Sequence, residues 1–152
     1  MALSIHRSRL EDIDSLLLLM RQMQLEDPWD RSPEESMVRQ NLLEILQNPT
    51  FGIAFIARDE NTPIAYLVIC FDLSLEYHGK GAWVDELFVE PAYRGKGIAS
   101  QLLDLAERAS LDHHAKSLHL EVTHGNPAIE LYRRRGLVDH HRHLMTKWLD
   151  PE

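Results

Sequence analysis

A single cysteine, Cys70, stands in this chain of 152 residues, which excludes an internal disulfide and fits a reducing compartment. It lies in an apolar stretch, where a free thiol behaves as a small buried hydrophobe rather than a nucleophile. Long hydrophobic runs are also lacking. The longest candidate, Leu16-Leu17-Leu18-Leu19-Met20, is flanked by charge and falls far short of the roughly 20 apolar residues a membrane span needs. The first residues show no basic segment leading into an apolar stretch, so no secretory signal is expected and a cytoplasmic location is. Seven glycines and seven prolines are too few for a collagen-like or low-complexity chain, and no internal repeat is present. A concentrated basic stripe is missing too. The formal net charge is −8, which argues against a nucleic-acid partner.

With 44% hydrophobic and 26% charged residues, the chain has material for one domain with a real core, spanning residues 1–152. Its charge is uneven. Residues 91–135 carry a balance of +2 and the remainder −10, so one segment can receive an anion while the rest attracts a cation or simply keeps the surface soluble.

Leu3 to Arg7 alternates as a short strand, and Leu10, Ile13, Leu16, Leu17 and Met20 then recur at helical steps. Glu26-Asp27-Pro28-Trp29-Asp30 ends that helix. Ser32-Pro33-Glu34-Glu35 offers an N-cap, a proline at the first helical position and a capping-box glutamate for a second helix running to about Gln47. Phe51 to Arg58 and Ile64 to Phe71 read as a hairpin around residues 59–63, and Trp83 to Val89 as a third strand after a Gly-Lys-Gly loop. A helix (about 97–112), a strand (Ser117 to Val122), a helix (about 127–135) and a last strand beyond Gly136 complete the order βααβββαβαβ, an α/β sheet of mixed direction.

The most informative stretch runs from Val84 through Leu103: a strand, a tight turn with Gly95 and Gly97, and a helix start. Two glycines let the backbone approach a ligand, and the helix start offers unpaired N–H groups and the positive end of its dipole, a place for a pyrophosphate. The glycines can equally do no more than make a βα turn, and Arg94 and Lys96 can be phosphate contacts or solvated cations. A dinucleotide fingerprint would need glycine at Ser100, and a P-loop would need Gly-Lys-Ser/Thr where Gly97-Ile98-Ala99 stands.

Arg94-Gly95-Lys96-Gly97-Ile98-Ala99, preceded by Glu86-Leu87-Phe88-Val89-Glu90-Pro91, resembles the Arg/Gln-x-x-Gly-x-Gly/Ala signature of the GNAT superfamily of N-acetyltransferases. Asp85 to Val89 and Tyr132-Arg133-Arg134-Arg135-Gly136 look most similar to its diamine acetyltransferase branch. The resemblance implies a mixed, mostly antiparallel sheet with helices on both faces. It also implies that backbone amides from Arg94 and Gly95 through Lys96, Gly97 and Ile98 to Ala99, with Ser100 on the first helical turn, hold the pyrophosphate of acetyl-CoA. Backbone groups of Leu87, Phe88 and Val89 would pair with the pantetheine arm, as a peptide adds to a strand edge.

Asn126 through Leu137 resembles the family's second signature, in which the hydroxyl of Tyr132 would protonate the departing thiolate; a half-buried packing tyrosine is the alternative. The family's coenzyme-contacting asparagine falls at Gly125 here, while Asn126 followed by Pro127 also reads as a helix cap. An alkylamine near pKa 10 must lose a proton before it attacks. Asp85 and Glu86 are the candidate base and cation anchor, and strand alternation would let only one of them face a given substrate. A backbone N–H near Phe88 would meet the oxyanion. Direct transfer requires no metal, and neither His113-His114 nor His140-His141-Arg142-His143 has convincing zinc spacing; His124, just before the second signature, is the histidine to watch.

The resulting expectation is an acetyl-CoA-dependent N-acetyltransferase acting on a primary amine of a small cationic molecule or a lysine side chain, with a homodimer plausible by analogy. The alternative is a non-catalytic acyl-CoA-binding sensor or interaction module.

Overall fold

A computed structural model describes residues 1–150, which divide into two units, residues 1–121 and from Val122 onward. The first unit contains β1 (Leu3–Arg7), α1 (Ile13–Glu26), α2 (Glu35–Gln47), β2 (Gly52–Asp59), β3 (Thr62–Ser74), β4 (Gly79–Val89), α3 (Ile98–Asp112) and β5 (Ser117–Leu120). The strands lie in chain order, β1-β2-β3-β4-β5. Neighbours pair antiparallel from β1 to β4, with β1 joined to β2 through α1 and α2 and the rest as hairpins, and α3 carries the chain over to β5, which joins β4 in parallel because a crossover helix permits that direction.

β3 is the central strand, and its sequence shows why. Ile64 to Ile69 is an unbroken apolar run with every residue buried, the pattern of a strand covered on both faces. On one face Tyr66 and Val68 join Ala54, Ile56 and Phe88 under Leu16, Leu17, Leu19 and Met20 of α1 and Leu42 of α2. The opposite face receives α3, whose Ile98, Leu102, Leu103 and Ala106 recur at helical spacing and are fully buried.

One carboxylate sits within this packing. Asp12, 4% exposed, precedes α1 and accepts from the Arg9 backbone N–H (2.9 Å), the Arg58 guanidinium (2.9 Å) and His6 Nε2 (3.3 Å). Burial opposes its charge, but the three donors outweigh that cost and hold its pKa below the usual carboxylate value.

Two boundaries differ from the expected ones. α2 begins at Glu35 with Glu34 as its cap residue, later than the Ser32-Pro33 signal suggests. β4 begins at Gly79, so the Gly-Lys-Gly segment is strand. A Cβ at 81 would stand 2.2 Å from Asp72 Oδ1 on the facing strand, so a larger residue there would push that side chain aside.

The second unit holds α4 (Ala128–Arg134). The Asn126 side-chain oxygen accepts from the Ala128 N–H (2.9 Å) at its start, and Gly136, in the left-handed region at φ +87°, closes it while Leu137 N–H donates to the Tyr132 carbonyl (3.1 Å). The strand expected beyond Gly136 is a correction: among the described residues, 137–150 form none. Asp139 through His143 is a polar run without apolar alternation. Asp139 Oδ1 accepts from the His141 N–H (2.7 Å), and His141 turns to φ +52°, a local turn in place of a ladder.

Candidate active site

β4 carries the site, and one extra residue gives it its shape. Glu86 lies opposite Val68 and Val84 opposite Ile69, so Asp85 has no partner and is the inserted residue of a β-bulge. Cross-strand partners share a face. Glu86 therefore points to the Val68 face, where α1 packs, and Val84 to the Ile69 face; Asp85, alternating with Val84, falls on the same face as Glu86. This corrects the expectation that strand alternation would part the two carboxylates. The bulge brings them together.

Their environments differ. Glu86 is mostly buried and accepts a 2.5 Å hydrogen bond from the hydroxyl of Tyr66, itself 0% exposed. Burial pushes the Glu86 carboxyl up, and the neighbouring Asp85 charge adds to that; the Tyr66 hydrogen bond pulls the other way, and the outcome is about 7. Asp85 keeps surface in water, yet partial burial raises its carboxyl as well. Cys70, across from Trp83 on this face, has its thiol pushed up to about 11 by burial and by both carboxylates, so it stays a protonated, unreactive side chain.

Past the bulge, β4 loses a neighbour. The parallel ladder runs from Gly81 opposite Ser117 to Val84 opposite Leu120 and stops, so among the described residues no strand pairs with Asp85 to Val89 on that side. The Glu90 N–H donates to the Ile64 carbonyl (2.8 Å), which sets the phase of the β3 ladder. Phe88, two residues back, turns its backbone groups to β3, while those of Leu87 and Val89 face the open edge. The three residues expected to meet pantetheine are thus not equivalent, and the amide of Phe88 itself is directed away from that edge.

The edge leads into a turn built from backbone. Gly95 and Gly97 take φ +73° and +77°, and a Cβ on either would meet nothing within 4 Å, so both stand before open space. Gly97 caps α3 without any side-chain hydrogen bond, leaving the first N–H groups of the helix to a ligand or water. Ile98 and Ala99 open the helix and Ser100 follows on its first turn. The Arg94 side chain is engaged within the protein: Nε donates to the Val89 carbonyl (2.9 Å), Nη2 to Glu26 (2.6 Å), and its guanidinium lies over the Phe88 ring at 5.7 Å. Its amide donates to the Pro91 carbonyl (3.3 Å). The Lys96 ammonium stands 4.9 Å from the Tyr93 ring centroid.

Tyr132 lies on α4, in the second unit, half-buried, with its hydroxyl pKa raised by that burial. Asn126 spends its side-chain oxygen on the α4 cap. Sequence reasoning missed two features. The bulge has a faint signal, two adjacent carboxylates inside an apolar strand, but Tyr66 has none, standing in a run of core residues where a tyrosine reads as packing.

The model of the acetyltransferase (GNAT) family matches residues 15–137. The chain belongs to the acetyltransferase (GNAT) family. Over 64 residues, 41% of this chain, it is 31% identical to thialysine N-epsilon-acetyltransferase of Bos taurus, and the aligned stretch spans 38% of that protein's length. In fold it is similar to an integron cassette protein from the mobile metagenome of Cole Harbour Salt Marsh, with TM-score 0.84 and 23% identity over 97% of this chain and 91% of that one. It is also similar to a predicted acetyltransferase of Clostridium acetobutylicum solved with acetyl-CoA, with TM-score 0.81 and 19% identity over 95% and 96% of the two chains. No helix among the described residues is long and apolar enough to cross a membrane.

Proposed function

We propose that this protein transfers the acetyl group of acetyl-CoA directly to a primary amine of a small cationic molecule or a lysine side chain. The observation that carries the reading is the bulge at Asp85, which sets two carboxylates on one face immediately before an open strand edge and a glycine turn. Each part has a task. Leu87 and Val89 offer the pantetheine arm a strand edge. The amides from Gly95 to Ala99 offer the pyrophosphate a cradle, for which Gly95 and Gly97 leave open space.

A carboxylate pair next to the thioester end of that edge can draw in an ammonium and remove its proton. The free amine then attacks the carbonyl carbon. A backbone N–H on the open edge meets the oxyanion, and Tyr132 supplies the proton to the departing thiolate, a role that rests on the resemblance of its helix to the family's second signature. The name of the bovine relative, a thialysine acetyltransferase, supports an acceptor with a lysine-like amine.

Free thiol release from acetyl-CoA with a panel of amines tests the proposal. The expected result is turnover on lysine-like or polyamine acceptors that falls roughly 10²-fold in Tyr132→Phe. Tight coenzyme binding without turnover on any amine would leave a binding module instead.

A further inference from the structure

The open edge and the glycine turn account for the coenzyme half of the site, and they leave undecided which carboxylate takes the proton. Tyr66 distinguishes them. Its ring is fully buried between β3 and α1, and among the described residues its hydroxyl reaches two acceptors, Glu86 Oε2 at 2.5 Å and the Met23 sulfur at 3.3 Å. A hydroxyl has one hydrogen, so the two contacts compete, and a carboxylate is by far the stronger acceptor.

We propose that Tyr66 is a positioning residue that holds Glu86, rather than Asp85, as the base that takes the proton of the acceptor amine; this rests on the function proposed above. With Glu86 ionised, Tyr66 donates to it. Once Glu86 has taken a proton on its other oxygen, Oε2 still accepts from Tyr66, less strongly than the carboxylate did, so the contact persists in both protonation states while favouring the base form. The carboxyl is held in one geometry throughout. In the step itself one proton leaves the ammonium nitrogen for a Glu86 oxygen and the freed lone pair forms the N–C bond at the thioester carbon. The C–S bond then breaks, the thiolate takes the Tyr132 proton, the second nitrogen proton replaces that one, and the Glu86 proton passes to solvent when the product leaves. Asp85, at the bulge and reached by water, receives no such hydrogen bond among the described residues and serves as the cation anchor.

The groups that bear on Glu86 act in opposite directions. On β4, the Asp85 charge raises its pKa; on β3, Tyr66 lowers it and Cys70 remains a neutral thiol. From α1 the contact is the uncharged Met23, with Glu26 paired to Arg94 beyond it. Near neutrality Glu86 is thus divided between acid and base forms, and the Tyr66 hydroxyl is the group that keeps the base form populated.

Tyr66→Phe retains the ring and removes that hydroxyl. The ratio of its kcat/KM to that of the wild type, taken at each pH so that the amine's own titration cancels, is expected to be lowest at acid pH, roughly tenfold down, and to recover toward one above pH 8. In the free protein, ¹³C NMR of the carboxyl signal that disappears in Glu86→Gln should titrate about one pH unit higher in Tyr66→Phe. A ratio independent of pH, or an unmoved carboxyl titration in a folded variant, would overturn the proposal. Asp85→Asn, a change at an exposed side chain, covers the case in which Tyr66→Phe does not fold. If Glu86 is the base, this variant keeps an acid limb, shifted to lower pH, with a raised KM. If the limb vanishes, Asp85 is the base and the proposal is wrong. Absence of thiol release by the wild type with every amine would remove the function and Glu86's role as base together, while the carboxyl titration would still report whether Tyr66 sets that group.

Discussion

Two carboxylates of the first unit, the buried Asp12 and the partly buried Glu86, are treated in opposite ways. Asp12 receives a guanidinium, a backbone N–H and an imidazole, and its pKa falls. Glu86 receives one phenol and faces a second carboxylate, and its pKa rises to about 7. Burial alone opposes both charges; the number and charge of the donors decide the sign. A carboxylate given full compensation is a structural joint, here tying the start of α1 to β2 through Arg58. One given partial compensation is left able to exchange a proton near neutral pH.

The largest expected effect that could break this contrast is on turnover. Glu86→Gln should lower kcat by roughly 10²- to 10⁴-fold if its carboxylate is the base, whereas Asp12→Asn should leave the turnover of the folded fraction near the wild-type value. Steady-state thiol release for both variants decides it, and equal losses would erase the distinction. Next in size is stability. Arg58→Met leaves Asp12 buried with its main compensation gone and should cost about 3 kcal/mol in urea unfolding at pH 7. A cost near zero would show that His6 and the Arg9 amide suffice.

The pH dependence of stability sharpens the comparison further, because the two groups contribute with opposite sign. Asp12, with a depressed native pKa, adds stability that is present above its unfolded pKa and lost as the pH falls through its native value. Glu86, raised from 4.5 to about 7, holds its proton in the native state when the unfolded chain has released it, so stability declines as the pH rises between those values, by up to roughly 3 kcal/mol. Glu86→Gln should therefore melt higher than wild type at pH 8 and no higher at pH 4, as read by calorimetry. A smaller effect is expected at the turn. Gly97→Val places a β-branched residue at φ +77° and a side chain in open space. It should weaken acetyl-CoA binding by about tenfold, or ~1.4 kcal/mol by titration calorimetry. The smallest is a salt effect: kcat/KM for a polyamine should fall with added salt more than that for a phenylalkylamine, since screening weakens steering by the acidic remainder. Parallel salt curves would remove the cationic acceptor.

How far the sequence reaches is visible in β4. Its apolar residues announce a strand, Gly95 and Gly97 announce the turn, and the motif that spans them leads to the family. What alternation cannot announce is a residue left over from pairing, since a bulge is a property of two strands and Asp85 carries no mark of it in one. Tyr66 is hidden for a related reason: apolar run and full burial describe its ring, while its role is set by the carboxylate that another strand brings to its hydroxyl. The strand expected after Gly136 fails on local grounds. The apolar residues Leu137 and Val138 run into five polar ones, and the Asp139 turn competes with any ladder.

The end of the β4–β5 ladder at Val84 also divides one strand into two stretches that solvent deuterium would read differently. Before it, amides are bonded on both sides; after it, the amides of Leu87 and Val89 point outward and depend on water, while that of Phe88 is held by β3. In deuterated buffer the Phe88 amide should exchange slowly, as the first stretch does, and those of Leu87 and Val89 quickly. A cosubstrate lying along that edge would slow those two and leave the Phe88 amide unchanged. Two amides flanking Phe88, read without any assay of chemistry, would then report how much of the protein is loaded.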